Sequence, residues 1–418
     1  YAPPESRWGR RRSPQPSWHH RAVSHTPATR AELINLVRQW HQDSTPWIPS
    51  GHGTRLDWGP ALDPDHAVLS CQHLNQVIDH AVDDLTITVE AGLPLVDLQR
   101  LLAAQDQWLP VDWPRGGEPM TTDRLDNRSA GSIGGLIARG LSGGLRQRHL
   151  GIRDQIIGIG LLRSDGTAAK AGGRVVKNVA GYDLMRLLCG SWGSLALITE
   201  VTLRVQPIRP AHAGLLVTGV LANLEGFRAA LLLSTLTPER CDWQCPGDGS
   251  WALRLVLSSV SDQAVLDQLT RIQALAAEHG LQAEAKPCSS PLDVAMLCHK
   301  PDQILRLVLP AASLHQLIAS EAMTSLKGWS WELAAGAGCG DGWCSSAAPA
   351  FQIEALRRQV ASLSGQLMVL VQPGDQQVSA WTDTPARPVI EAVKRQFDPR
   401  QQLSRGRLPG VDQFQTRA

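Results

Sequence analysis

Long apolar runs, an excess of one charge and closely spaced cysteine pairs are missing from this sequence, and each absence narrows its function. No apolar run approaches the roughly 18 residues that cross a bilayer, so we predict no integral membrane segment. The 40 basic residues are balanced by 39 acidic ones, which argues against a nucleic-acid partner. A hydrophobic content of 43% over 418 residues predicts a folded protein of about two domains.

The eight cysteines do not form a recognisable metal-binding pattern. Cys241 and Cys245, like Cys339 and Cys344, lack the Cys-x-x-Cys spacing of common zinc and iron–sulfur sites. We therefore expect no metal on this chain. A protein of this length needs no disulfide framework and no signal peptide is recognisable, so we expect reduced thiols and a cytoplasmic location.

Changes in composition divide the chain into three parts. Residues 1–27 are rich in Pro, Ser and Arg and predict a disordered tail, with a basic targeting peptide as the alternative. Residues 28–208 have an α/β pattern, and residues 209–418 have the mixed pattern of a separate α+β domain. The spacing of residues 74–82 predicts a helix, and the Gly-, Ala- and Ser-rich stretch 333–350 predicts a flexible loop.

Two glycine-rich stretches are candidates for binding a diphosphate. The first loop comprises Pro49, Ser50, Gly51, His52, Gly53 and Thr54, and the second comprises Gly131, Ser132, Ile133, Gly134 and Gly135. A sharp turn after a strand points several backbone N–H groups in one direction, although a plain surface turn is the alternative for the first loop. The second opens a helix, whose N-terminal N–H groups attract anions. Neither has the spacing of a Rossmann or Walker motif.

A third glycine-rich region lies between two predicted strands, Ile156–Leu162 and Leu195–Val205. It runs from Gly172 to Leu184 and resumes at Gly190. Glycines this dense beside buried strands allow the backbone to approach a flat ring system closely. Tyr182 is the only tyrosine besides Tyr1, so its phenol has either a specific hydrogen-bonding role or a structural one.

These stretches carry a family resemblance. The sequence of Gly172–Leu184 resembles the signature of the smaller flavin subunit of glycolate oxidases. In order and spacing, residues 28–208 are similar to the FAD-binding domain shared by vanillyl-alcohol oxidase, p-cresol methylhydroxylase (PCMH) and cytochrome-type D-lactate dehydrogenase. The resemblance implies an α+β protein: a PCMH-type FAD-binding domain of two α/β subdomains, followed by an α+β cap that returns to the flavin at its C-terminus.

The resemblance also implies a set of cofactor-binding residues. The first and second loops would hold the diphosphate of FAD. The residues implied to lie elsewhere along the cofactor are Lys177, Tyr182, Gly190, Ser191, Gly193 and Ile198. Trp192 and Ala196 depart from the residues usual in the family. His52 lies one position from a histidine that binds flavin covalently in some members, but we expect a solvated histidine and non-covalent FAD.

Oxidation of a 2-hydroxy acid requires a proton acceptor, a cation for the carboxylate and positive charge near the flavin. Arg174, Lys177 and Arg407 are candidate cations, and the catalytic base is unassigned. Larger relatives carry a His-containing motif in the cap, whereas the nearest analogue here, Ala337–Gly342, has Gly and Asp but no His.

Three functions remain open. The first is an FAD-binding subunit of a glycolate- or D-lactate-oxidising complex, acting with a larger flavin subunit and an iron–sulfur subunit that could also hold it at a membrane. The second is a stand-alone FAD-dependent alcohol or hydroxy-acid dehydrogenase. The third is a non-catalytic assembly subunit that keeps the flavoprotein fold with weak or no FAD. The missing cap histidine favours the first or the third.

Overall fold

The computed structural model of the chain describes residues 23–62, 65–113, 130–173, 183–288, 301–374, 376 and 378–412. In the N-terminal part, the strands are β1 (Ser24–His25), β2 (Trp47–Ser50), β3 (Ala67–Ser70), β4 (Val77–Ala81), β5 (Thr86–Glu90), β6 (Gln107–Trp108), β7 (Ile156–Leu162), β8 (Ala168–Gly172), β9 (Leu197–Arg204) and β10 (Gln206–Pro207). The helices there are α1 (Arg30–Asp43), α2 (Leu95–Ala103), α3 (Ile133–Arg139), α4 (Arg146–His149), α5 (Ile152–Gln155) and α6 (Leu184–Leu188).

In the C-terminal part, the strands are β11 (Ala211–Thr218), β12 (Arg240–Cys245), β13 (Ala252–Ser259), β14 (Gln282–Lys286), β15 (Gln303–Val308), β16 (Ser330–Ala334), β17 (Cys339–Cys344) and β18 (Gln366–Val371). The helices are α7 (Leu221–Leu233), α8 (Asp262–Glu278), α9 (Leu314–Ala319), α10 (Glu321–Thr324), α11 (Ala350–Ser362) and α12 (Arg387–Phe397). None of these helices is long and apolar enough to cross a membrane.

The N-terminal part consists of two sheet-based units. Strands β1, β3 and β2 form a parallel sheet against which α1 buries Leu33, Val37 and Trp40. Thr29 begins α1 by accepting a hydrogen bond from the Glu32 N–H at 3.2 Å. The second sheet has the antiparallel order β4-β5-β9-β7-β8. The predicted buried strands over 156–162 and 195–205 are thus confirmed as β7 and β9, although β9 begins at Leu197.

Two local predictions were wrong. Residues 77–81 form the edge strand β4, not a helix, because they pair with β5 and the β-branched Val77 and Ile78 suit an extended edge. The predicted flexible loop at 333–350 contains the end of β16 and all of β17, which pair as a hairpin. Its glycines are needed for close packing, since a Cβ on Gly342 would lie 2.2 Å from the Trp331 ring.

The C-terminal part is built on one eight-stranded antiparallel sheet of order β14-β11-β13-β12-β16-β17-β15-β18. Helices α7–α11 bury their apolar faces in its largest core, which includes Trp243, Phe227 and Ile353. We call this sheet with its helices the cap. The boundary expected after residue 208 stays a prediction, and the first cap strand begins at Ala211.

After the cap, the chain returns to the N-terminal part. Leu403 bridges to Trp47, and the Ser404 hydroxyl donates to the Gly193 carbonyl at 3.1 Å. Lys394 of α12 fastens this return, since its ammonium group donates to the Asp398 carboxylate at 2.6 Å and to two backbone carbonyls. Residues 1–22 of the predicted tail lie outside the described residues.

We predict that Lys394→Met lowers the free energy of unfolding by roughly 3–5 kcal/mol, because Asp398 would remain as a buried charge without its cation. Thermal and urea unfolding measure the effect. The control is Lys327→Met, which removes an exposed ammonium from the cap and should leave the unfolding midpoint nearly unchanged. Equal stability of both variants would contradict the proposed role of Lys394.

Candidate functional site

A cleft, partly open to solvent, lies between the N-terminal part and the cap. One wall is formed by the first and second loops and by residues 136–144. The other wall consists of cap residues, and Arg407 reaches the cleft from the C-terminal return.

The first loop offers backbone donors to this cleft. It follows β2 directly, and Gly53 takes the left-handed conformation (φ +73°) that bends the chain. Among the described residues, the N–H groups of Gly51, Gly53 and Thr54 have no hydrogen-bond acceptor. Such a turn can bind the oxygens of a diphosphate.

The second loop opens α3, as predicted, with Ser132 as its N-cap. Three of its backbone N–H groups already donate hydrogen bonds inside the protein, however. The N–H of Ile133 donates to the Leu93 carbonyl at 3.0 Å and that of Gly134 to the Ala91 carbonyl at 2.7 Å. The Gly135 N–H donates to Ser132 Oγ at 3.2 Å. The free N–H groups expected at this helix end are therefore engaged, and the loop acts mainly as a closely packed wall.

Contacts between backbone and side chains hold the three loops together. A Cβ on Gly51 would lie 2.1 Å from Ser132 Oγ, so the first loop can contact the second only because residue 51 is glycine. Gly193 of the third loop, residues 190–196, has φ +70°, and a Cβ there would lie 2.6 Å from Pro49 Cγ. The glycines thus set how closely the loops approach.

Most of the predicted cofactor-binding residues line the cleft: Pro49, Ser50, Gly51, His52, Gly53, Thr54, Gly131, Ser132, Gly134, Gly135, Gly193 and Ile198. Three do not. The Ile133 side chain is buried in the core, and Gly190 donates its N–H to the Ile137 carbonyl behind the wall. Ser191 is buried beside it. Lys177 and Tyr182, like the candidate cation Arg174, lie outside the described residues.

Three arginines, which we call the arginine cluster, converge in the cleft: Arg55, Arg139 and Arg407. Burial lowers the pKa of Arg139 well below its usual value, and the charges of Arg55 and Arg407 lower it further. Burial also lowers the pKa of Arg55 and that of Arg407 to about 10. Of these three, our sequence analysis identified only Arg407. Arg139 lies one helical turn after Gly135, a spacing that could have pointed to it.

The cap wall carries a network of buried ion pairs. Arg240 lies between Asp242, at 3.0 Å, and Glu332, at 2.8 Å, and its Nη1 is 3.0 Å from Asp112 Oδ1 in the N-terminal part. Although burial alone would lower the pKa of Arg240, the three carboxylates raise it. Arg240 therefore stays charged and ties the cap to the opposite wall.

A second arginine extends this network. Arg306 forms an ion pair with Asp341 at 3.1 Å and donates to the Ser142 carbonyl. Both cap arginines of the cleft thus have carboxylate partners. Burial raises the pKa of Asp242 to about 6; Arg240 lowers it, and the charges of Glu332 and Asp112 raise it.

Comparisons with known proteins identify the N-terminal part. Residues 22–172 match the family described as FAD binding domain. The chain is 32% identical over 175 residues to glycolate oxidase subunit GlcE of Escherichia coli, covering 42% of this chain and 46% of that protein. It is 32% identical over 211 residues to D-2-hydroxyglutarate dehydrogenase of Xanthomonas citri, covering 50% and 41%.

A third relative is the mitochondrial D-lactate dehydrogenase [cytochrome] of Arabidopsis thaliana, 31% identical over 188 residues and covering 45% of this chain and 30% of that protein. The chain thus spans less than half the length of these curated relatives. Among solved structures, alkyldihydroxyacetonephosphate synthase matches with a TM-score of 0.62 at 15% identity, covering 91% of this chain and 76% of that one. This likeness shows the fold.

The chain contains a PCMH-type FAD-binding domain. The predicted α+β fold and family resemblance are confirmed, and the domain implies FAD as the cofactor. The cleft fits this cofactor, since the N–H groups of Gly51, Gly53 and Thr54 suit a diphosphate.

His52 is not the solvated loop residue that we expected. It is partly buried in the cleft, and its Nε2 lies 2.9 Å from the Gly92 carbonyl oxygen. A hydrogen bond to this carbonyl requires the proton on Nε2, so that nitrogen is held away from other partners. How the cofactor is attached stays a prediction.

We predict that Gly51→Ala weakens FAD binding by roughly tenfold or more, because the added methyl would overlap the Ser132 side chain. The double variant Gly51→Ala/Ser132→Gly removes the overlapping atoms and should largely restore binding, since glycine is nearly as good an N-cap as serine. Titration of each apoprotein with FAD gives the dissociation constants.

Gly374→Ala is the matched control, because no atom lies within 4 Å of the added Cβ. It should bind FAD like the unchanged chain. Full binding by Gly51→Ala, or no recovery in the double variant, would show that contact between the two loops does not govern the site.

We predict a pH-dependent stability difference at Asp242. Because its pKa is raised in the folded state, folding favours the protonated form, and its stabilising effect is lost as the pH rises from about 4 through 6. Relative to Asp242→Asn, the unchanged chain should lose about 1.4 kcal/mol of unfolding free energy per pH unit in that window. Urea unfolding at several pH values measures this slope.

The exposed Asp248 provides the control for this slope. The Ser250 hydroxyl and N–H donate to its carboxylate and lower its pKa, so its stabilising effect is present at high pH and lost as the pH falls. The difference between the unchanged chain and Asp248→Asn should therefore have the opposite sign. A flat difference for Asp242→Asn would mean that folding does not raise the pKa of Asp242.

Proposed function

We propose that the protein is an FAD-dependent oxidoreductase subunit that transfers a hydride from a 2-hydroxy acid to FAD. One observation carries the proposal: a single cleft joins unused backbone donors, a cluster of buried cations and a buried carboxylate with a raised pKa. These are the elements needed to hold a dinucleotide, an anionic substrate and the proton of its hydroxyl group.

The first loop would hold the diphosphate through the N–H groups of Gly51, Gly53 and Thr54. Gly193 and Ala196, which line the cleft without bulky side chains, leave room for a flat ring. When bound, FAD supplies a two-electron acceptor. The protein's contribution is to orient the substrate against it, exclude water and take up the hydroxyl proton.

Asp242 is the best placed described residue to accept that proton. It is almost fully buried in the cap wall, and Arg240 holds one carboxylate oxygen at 3.0 Å while the other lacks a hydrogen-bond partner among the described residues. A pKa of about 6 suits a general base near neutral pH, because the group is ionised yet basic enough to bind a proton.

We further propose that the protein acts in a complex with a larger flavin subunit and an iron–sulfur subunit. The similarity to glycolate oxidase subunit GlcE supports a subunit role. The substrates named for the other relatives, D-lactate and D-2-hydroxyglutarate, support a 2-hydroxy acid as the substrate class.

A non-catalytic assembly subunit is the second candidate, and the cap wall favours it. Arg240 and Arg306 already have carboxylate partners, so neither offers an unpaired charge to a substrate carboxylate. The described cap residues that line the cleft also include no histidine. In this function the chain would keep the fold, with weak or no FAD binding.

We predict that the purified chain shows flavin absorption, and that acid precipitation releases it into the supernatant as non-covalent FAD. Glycolate or D-lactate, added without oxygen, should then bleach the bound flavin, whereas propionate, which lacks the hydroxyl group, should not. Absorption spectra before and after each addition measure both effects.

Each outcome separates the candidates. Bleaching by a 2-hydroxy acid supports the oxidoreductase. Bound FAD that no 2-hydroxy acid bleaches, even with co-expressed partner subunits, favours the assembly subunit. Yellow colour that stays in the acid pellet would show covalent attachment, and a chain that takes up no FAD would contradict the central proposal.

A further inference from the structure

We propose that Arg139 is the centre of an anion-binding subsite in the cleft, built by the arginine cluster together with two tryptophans. The subsite would bind a planar group with delocalised negative charge. This inference rests on the proposed function, because the anion comes either from the carboxylate of a 2-hydroxy acid or from the flavin ring, which gains negative charge when it is reduced.

The charges of the arginine cluster are poorly balanced. The guanidinium groups of Arg55 and Arg407 act on that of Arg139 inside the cleft, and among the described residues only the carboxylate of Asp57 has a resolved effect that opposes the loss of charge in the cluster. Like charges buried together repel, and each loses its hydration. An arrangement of this kind favours the binding of an anion. The cap arginines already have carboxylate partners and do not favour one.

Arg407 and Arg139 differ in how far their N–H groups are already used in hydrogen bonds. Arg407, the cation expected from the sequence, donates to the carbonyls of Pro60 and Leu56 at 3.1 and 3.0 Å and also to that of Trp58. It therefore fastens the loop after the first glycine-rich stretch. Arg139 donates from Nη2 to the Arg55 carbonyl, but its Nε has no acceptor among the described residues.

Two tryptophan rings fix the orientation of the Arg139 guanidinium group. Its guanidinium carbon lies 5.4 Å from the ring centroid of Trp58 and 5.4 Å from that of Trp192. Cation–π contacts on two rings hold the group in place and exclude water. Trp192 is itself fixed by Trp381, with ring centroids 5.3 Å apart, and by Gly59, where a Cβ would lie 2.8 Å from its ring.

Planar guanidinium groups bind carboxylates through two parallel hydrogen bonds, which an ammonium group cannot reproduce. With its carboxylate at Arg139, a 2-hydroxy acid would be held on the wall of the FAD-binding domain. Its hydroxyl group would then be free to approach the carboxylate-rich cap wall. The subsite thus supplies a cation for the substrate carboxylate, which the paired arginines of the cap do not offer.

The test compares the unchanged chain with Arg139→Met, Arg139→Lys and Arg357→Met. Arg357 is a buried arginine of α11 that does not line the cleft, and it controls for the loss of any buried guanidinium. Oxalate, a planar carboxylate that cannot be oxidised as a 2-hydroxy acid, is titrated calorimetrically into each chain as purified. The midpoint potential of bound flavin is measured by dye equilibration.

We expect Arg139→Met to weaken oxalate binding at least about tenfold and Arg139→Lys to restore it only in part. Arg357→Met should bind oxalate unchanged. If the anion is the reduced ring instead, Arg139→Met should shift the equilibrium towards oxidised flavin about tenfold, which is about 30 mV for two electrons. Either result supports the subsite and identifies its ligand.

The subsite is overturned if Arg139→Met changes neither oxalate affinity nor flavin potential, whether or not it lowers thermal stability. A loss of stability alone would show that Arg139 only packs between the tryptophans. If the purified chain holds no FAD, the proposed function fails, and the oxalate titration by itself still decides the subsite.

Discussion

A Cβ on Gly51 would overlap Ser132 Oγ, and one on Gly193 would press on Pro49. These two contacts fix the distance between the three loops that line the cleft proposed to bind FAD. Side chains in either place would push the loops apart, and the backbone donors of the first loop would lose their alignment. The rest of the site depends on this spacing, because α3 brings Arg139 to the cleft and the third loop brings Trp192.

The two walls of the cleft carry different sets of charged side chains. The wall of the FAD-binding domain carries the arginine cluster, whereas the cap wall carries Arg240 and Arg306 with the carboxylates of Asp242, Glu332 and Asp341. The fourth carboxylate partner, Asp112, belongs to the N-terminal part. Such a division would orient a polar substrate, since opposite ends of the molecule are attracted to opposite walls. The proposed proton acceptor, Asp242, lies on the wall opposite the arginine cluster, and burial raises its pKa although Arg240, at 3.0 Å, lowers it.

The glycine-rich stretches predicted the FAD-binding domain because their function depends on backbone conformation, which sequence reveals through glycine itself. The same residue misled the prediction at 333–350. There, Gly342 permits close packing under Trp331 in a hairpin, and flexibility is not its purpose. The helix predicted at 74–82 failed for a related reason: pairing with β5 outweighed a weak local preference.

The sequence by itself determined the family, the α+β class and most of the loop residues that line the cleft, because these follow from local patterns of glycine and hydrophobic residues. Only the tertiary structure decided which charges meet. Arg55, Arg139 and Arg407 are far apart in the chain, as are Asp112, Arg240 and Glu332, and their pKa values depend on burial and neighbours that folding creates. The chemistry proposed for the cleft therefore rests on long-range contacts that no local pattern encodes.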